Sequence, residues 1–179
     1  FLRGCSRVSR GCERCYAERV AWRFSGKGLA YEGLARMTAH GPRWTGEVTF
    51  EVDKLDDPLR WTSPQRVFVN SMSDLFHEGA EERWLDEAFA RMAVCAEHSF
   101  LALTKRASRM REYLANPATP DRIRERIRCA RSPAMQRRGV FFAWPLPNFW
   151  AGVSVESMDE THRLDELMQT PAAVRWVSA

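Results

Sequence analysis

Apolar positions along this chain recur with two periods that alternate from segment to segment. Residues 66–70, RVFVN, and 100–104, FLALT, are short apolar runs closed by polar residues, the pattern of buried strands. Residues 149–156, FWAGVSVE, and the closing AVRWVSA read the same way. Between them, residues 80–97 place Trp84, Leu85, Ala88, Phe89, Met92 and Val94 on one helical face, with acids in the first turn. KRASRMREYLAN predicts a helix ended by Asn116-Pro117, and TPDRIRERIRCAR a basic helix capped by Thr119 or Asp121. MDETHRLDELMQT predicts a further helix, ended by Pro171. Upstream, CYAERVAWRFSG carries Tyr16, Val20 and Phe24 at helical spacing, with Gly26 and Gly28 as stop signals. GEVTFEVDKL alternates Val48, Phe50 and Val52 with polar neighbours and predicts a half-exposed strand. DDPLRW reads as a helical turn with Pro58 near its start.

Apolar strands alternating with helices predict an α/β protein with a parallel sheet covered by helices. No repeat or low-complexity linker divides residues 1–179, so a single domain is expected. A barrel-like sheet and an open doubly wound sheet both fit this pattern. The absence of GxGxxG after any strand argues against a dinucleotide fold. Either architecture places a ligand at the carboxyl ends of the strands. The polar residues gather there: Asn70-Ser71-Met72-Ser73-Asp74, Thr104-Lys105-Arg106, Ser154-Val155-Glu156 and Ser178.

Length and composition narrow the picture. At 179 residues the chain can bury one core. No apolar run approaches the roughly 20 residues a membrane helix needs. The opening FLRGCSRVSR carries charge where a secretion signal would be apolar, so a cytoplasmic protein is expected. A first residue of Phe and a strand-like final segment predict that the fold continues past both ends. The net charge of +4 comes almost entirely from arginine, with lysine only at 27, 54 and 105, and is weak support for a polyanion partner.

The cysteines change the picture most. Cys5, Cys12 and Cys15 crowd into one loop, in the pattern C-x6-C-x2-C. This is a poor disulfide framework and a good metal or cluster site in a reducing compartment. Four thiolates would close a structural site, whereas three leave a coordination position open for chemistry. A zinc ion would need a fourth ligand, for which His40 and His77 are the candidates. Cys95 and Cys129 sit in helical runs and read as small packing residues.

A three-cysteine loop followed by an aromatic, a helix and alternating strands and helices resembles the radical S-adenosylmethionine superfamily. That resemblance implies an incomplete TIM-type (β/α) barrel, here truncated at both ends. It also implies a [4Fe-4S] cluster whose open iron chelates S-adenosylmethionine, and reductive cleavage to a 5′-deoxyadenosyl radical. The first spacing of C-x6-C-x2-C is longer than the superfamily's common one. The match is closer to a phage-borne radical-SAM-like family of unestablished function. GCSRVSRGCERCYAERVAWR, RVFVNSMSDLFHE, LTKRASRMREYL, WPLPNFWAGVSVE and LMQTPAAVRWVSA look like that family's blocks. By this resemblance Cys5, Cys12 and Cys15 are cluster ligands. Tyr16, Asn70, Ser71, Ser73, Asp74, Lys105, Arg106, Ser154 and Glu156 become cofactor contacts, with Lys105 or Arg106 pairing the methionyl carboxylate. An electron donor, a nucleic-acid substrate for modification or repair, and a partner protein are the expected partners.

The rival is a non-enzymatic module stabilised by zinc or a cluster, contacting nucleic acid or protein through a basic surface. Residues 121–138 carry seven arginines against two acids, but the arginines wind around the helix. His77-Glu78 reads as a solvated helix entry, and FFAWPLPNFW as a surface loop with buried rings. The open-position argument has a direct check: Cys5→Ala, Cys12→Ala and Cys15→Ala are each expected to abolish cluster assembly, and Cys95→Ala and Cys129→Ala to leave it intact. Loss of iron from either of the last two variants would mean that a fourth thiolate closes the site.

Overall fold

The computed structural model describes residues 1–179. A first strand, β1 (Leu2–Arg3), leads into the cysteine loop, which ends in a 3-10 turn over Arg10–Arg14 and helix α1 (Tyr16–Arg23). A hairpin follows, β2 (Ala35–Thr38) and β3 (Gly41–Trp44), then β4 (Thr49–Phe50) and 3-10 turns at Val52–Lys54 and Asp57–Arg60. The remaining chain is β5 (Arg66–Val69), α2 (Glu82–Val94), β6 (Ser99–Thr104), α3 (Ala107–Ala115), α4 (Thr119–Arg128) and α5 (Pro133–Arg138), then β7 (Phe149–Ser154), α6 (His162–Gln169) and β8 (Val174–Ser178).

Strands β5, β6, β7 and β8 form one parallel sheet in sequential order. Sequential order is what βαβ crossovers produce when each strand is laid beside its predecessor. Register puts Val67, Phe100 and Phe149 in one row and Val69, Ala102 and Ala151 in the next. Both rows join the core with Leu85, Phe89, Met110, Leu114, Ile123 and Ile127 from α2, α3 and α4. Each fully buried Val, Leu, Ile, Phe or Met among them contributes about 1.5–3 kcal/mol over its exposed state. The opposite face carries Phe68, Leu101, Trp150 and Trp176, none fully buried. Trp176 lies flat on Gly152, where a Cβ would stand 2.3 Å from the indole and 2.7 Å from the Ala102 carbonyl.

The fold is therefore mixed α/β with an open four-stranded parallel sheet, and no barrel closes. Other expectations are corrected in detail. The strand expected within residues 46–55 is only Thr49–Phe50, paired antiparallel with β1, because the backbone turns into a 3-10 helix at Val52. The basic segment 121–138 is two helices, interrupted before Pro133, which begins α5. Neither Thr119 nor Asp121 caps α4: the capping position is Ala118, and the Thr119 hydroxyl donates to the Tyr113 carbonyl at 2.8 Å. The β2–β3 hairpin was not expected at all. It covers α1 with a small separate core of Ala17, Ala21, Leu34, Ala35 and Trp44.

Asn148 locks the sheet to α2. Its buried amide donates to the carbonyls of Met92 (3.0 Å), Cys95 (3.1 Å) and His98 (3.1 Å), the end of α2 and the approach to β6. Asn148→Ala removes all three donations, although the Met92 and Cys95 carbonyls keep the backbone N–H of Cys95 and His98, and is expected to cost about 1–3 kcal/mol, read from the urea midpoint. An unchanged midpoint would show that the carbonyls find other donors.

Candidate functional site at the cysteine loop

The loop begins at Gly4, which bridges Ser73 beside the end of β5. Gly4 has φ +90°, and a Cβ there would stand 2.1 Å from the Glu47 carbonyl oxygen, so only glycine fits. The Ser73 hydroxyl fixes the approach by donating to the Leu2 carbonyl at 2.7 Å. The 3-10 turn then brings Cys12 and Cys15 together, with the Cys15 N–H donating to the Cys12 carbonyl at 3.2 Å. Cys15 leads into α1, and the Tyr16 hydroxyl donates to the Ser71 carbonyl at 2.8 Å.

Glu18, one turn into α1, secures the far end of the loop. It is 2% exposed and accepts from Arg7 Nε (3.0 Å) and Nη2 (2.7 Å), and from the Trp44 backbone N–H (3.2 Å). Arg43 approaches it at 3.6 Å. Loop, helix and hairpin are thus joined through one carboxylate.

Cys5, Cys12 and Cys15 line a single cavity of about 330 Å³. The carboxyl ends of β5, β6 and β7 complete it, contributing Ser71, Ser73, Asp74, Lys105, Arg106 and Ser154. Tyr16, Arg14, Trp44, Met72 and Leu103 also face it. Most of the residues singled out from the sequence are therefore brought together, although they come from separate segments. Two lie outside this lining. Asn70 adopts φ +61°, the left-handed conformation asparagine tolerates, and turns the chain as β5 ends. Glu156 lies beneath the loop, where a Cβ on Gly11 would meet its side chain at 2.7 Å. It accepts from Ser154 Oγ and Arg163 Nη1, both at 3.0 Å, and is ion-paired with Lys105.

Asp74 is buried and fully committed to the protein. Its carboxylate accepts from Thr104 Oγ1 (2.7 Å), the Phe76 N–H (2.9 Å), Arg106 Nη1 (3.0 Å) and the Lys105 N–H (3.2 Å). It shapes the cavity wall instead of presenting free oxygens to a cofactor.

The thiols are electrostatically unequal. Burial pushes the Cys5 thiol up to about 11, against the pull of Arg106. Burial also raises Cys12, but backbone hydrogen bonds at Val8 and Ser9, with Lys105, outweigh it and leave the thiol below its ordinary value. Thiolates at these positions would carry negative charge, and the cations Lys105 and Arg106 stand on the same wall.

Three thiols of one loop facing one cavity are the donor set that a three-thiolate cluster would need. No three Cys, His, Asp or Glu side chains converge on a single-ion coordination sphere. Neither histidine expected as a fourth zinc ligand serves. His40 is exposed at the hairpin turn and does not line the cavity. His77 is buried with both ring nitrogens engaged: Nε2 on Ser6 Oγ at 2.9 Å and Nδ1 accepting the Gly79 N–H at 3.0 Å. The solvated helix entry expected at His77 is corrected accordingly. Its place beneath the cysteine loop had no local signal in the sequence.

The arginines of 121–138 are largely neutralised. Arg122 pairs with Asp86 and Glu82, Arg124 with Asp121, Arg126 with Glu87, Arg128 with Glu125 and Arg138 with Glu97. They do not form a free basic stripe. No helix is long and apolar enough to cross a membrane.

Residues 1–179 match a family model described as a protein of unknown function (DUF5131), and the chain belongs to that family. No curated protein and no solved structure matches.

Two expectations follow from this geometry. Burial and, next, Arg106 hold the His77 imidazole below its ordinary value, with Arg109 adding to them and Glu78 and Asp74 opposing. Below the unfolded value of about 6.5 the unfolded chain takes up a proton that the folded ring refuses. Stability from this group is therefore full above that pH and is lost as pH falls through it. His77→Gln should flatten the acid limb of a stability-against-pH profile, and an unchanged limb would refute the assignment. Glu18→Ala strands Arg7 and the Trp44 N–H and should cost about 2–4 kcal/mol, less than a fully buried pair because Arg7 is partly exposed. Urea unfolding measures it, and a loss under 1 kcal/mol, about the worth of a surface pair, would show the carboxylate to be dispensable.

Proposed function

We propose that this protein is a radical S-adenosylmethionine enzyme, holding a [4Fe-4S] cluster on Cys5, Cys12 and Cys15. S-adenosylmethionine would occupy the cavity between the cysteine loop and the strand ends. The observation that carries the reading is that three cysteines of one loop line one cavity with the carboxyl ends of three parallel strands. The sequential order of β5 to β8 supports reading the sheet as part of an incomplete TIM-type barrel, whose ligands collect at that edge. When bound, such a cluster would supply the single electron that reductive cleavage of the sulfonium to methionine and a 5′-deoxyadenosyl radical requires.

The chain's own residues bind, orient and shield. Cys5, Cys12 and Cys15 would hold the cluster against the cavity that all three line. Trp44, Met72 and Leu103 give it apolar walls that exclude water from a reactive radical. Exposed Arg14 on the rim, and Lys105 once released from Glu156, supply positive charge for the methionyl carboxylate. The electron comes from an external donor. A nucleic-acid substrate forms no part of this proposal, because most arginines of 122–138 are committed to carboxylates.

Protein purified without oxygen should be brown, with about four iron and four sulfide per chain. Adding S-adenosylmethionine should change the electron paramagnetic resonance spectrum of the reduced cluster. One zinc per chain with no sulfide would overturn the proposal.

A further inference from the structure

We infer that Arg106 is a positioning residue that fixes Cys5 against the sheet and sets the reduction potential of the cluster. The inference rests on the cluster reading proposed above. Its ground is where the guanidinium donors go. Nη1 reaches Asp74 Oδ2 at 3.0 Å and Cys5 Sγ at 3.9 Å. Nη2 donates to Ser6 Oγ at 2.6 Å and to the Ser6 carbonyl at 3.3 Å. Nε lies 2.8 Å from Glu78 Oε2, an ion pair off the line of a good hydrogen bond. The side chain is 5% exposed. A guanidinium has five N–H donors: here the four on Nη1 and Nη2 go to the protein's own acceptors, and the fifth, on Nε, stands in the ion pair with Glu78. None is left for a cofactor carboxylate, the role expected from the sequence.

Ser6 is gripped from a second side. His77 Nδ1 accepts the Gly79 N–H, so in the neutral ring the proton sits on Nε2 and is donated to Ser6 Oγ. His77 is therefore no base for Ser6, and arginine and imidazole together clamp the residue next to Cys5. This places a buried cation beside one thiolate of an anionic cluster. Charge and hydrogen bonds at the sulfurs are what tune such a cluster, and a cation favours the reduced state. Lysine would keep the charge and lose the planar fork.

The test uses anaerobically prepared holoprotein, as wild type, Arg106→Met and Arg106→Lys. Redox titration followed by electron paramagnetic resonance gives the midpoint potential and spectrum. Arg106→Met should retain iron yet lower the ratio of reduced to oxidised cluster at the wild-type midpoint on the order of tenfold, about 59 mV for a one-electron couple. Arg106→Lys should fall between the two. A purely structural role would lower iron content and melting temperature while the remaining clusters kept the wild-type potential and spectrum, and that outcome overturns the inference. Should the Arg106 variants fail to fold, Ser6→Ala takes their place. It should alter the spectrum and shift the potential less, in the same direction, and unmoved values there also overturn it. A wild-type protein that assembles no [4Fe-4S] cluster refutes the underlying reading and the inference with it, whereas a wild-type cluster with unmoved potentials in the variants refutes the inference alone.

Discussion

The carboxyl edge of the sheet depends on the carboxylate of Asp74. A charge taken out of water must be surrounded by donors, and this one gathers them from two strand ends. Thr104 Oγ1 and the Lys105 N–H come from the end of β6, the Phe76 N–H from its own turn, and Arg106 from the start of α3. The same arginine reaches up to Ser6. One buried carboxylate thus fixes the ends of β5 and β6 and, through a single intermediate, the loop that bears the first cysteine.

The loop is seated at three places, each through a charged side chain beneath or beside it. Arg106 holds it at Ser6, Glu156 lies under Gly11 with Lys105 and Arg163 as its partners, and Glu18 holds it through Arg7. Apolar packing could supply the same adhesion with less demand on geometry. Hydrogen bonds to charged groups are directional, so they restrict where three sulfur atoms can stand. The small core beneath the hairpin supports this arrangement from behind.

Much of the fold was legible because its signals are local. The four sheet strands are short apolar runs bounded by polar residues, and the helices between them carry their periodicity within a dozen positions. The cysteine triple was legible for the same reason. The hairpin was not: ARMT and GPRW have little alternation, and Pro42 argues against a strand. The break in 121–138 did carry a signal, Ser132-Pro133, that the run of arginines masked. The roles of Asp74 and His77 were hidden because their partners lie 30 and 71 residues away. A polar residue after a strand looks the same whether it faces a ligand or an arginine from the next helix.

The wide separation of the loop from its supports has a consequence for biosynthesis. Ser9 reaches Glu156 across 147 positions, and Cys5 reaches Arg106 across 101. Translation runs from the amino end, so the thiols emerge from the ribosome well before anything that seats them. During that interval they are flexible, unshielded and open to oxidants. On the proposed reading, cluster loading would follow the laying down of β7, and a nascent chain stalled before it would expose three cysteines with no structure to arrange them.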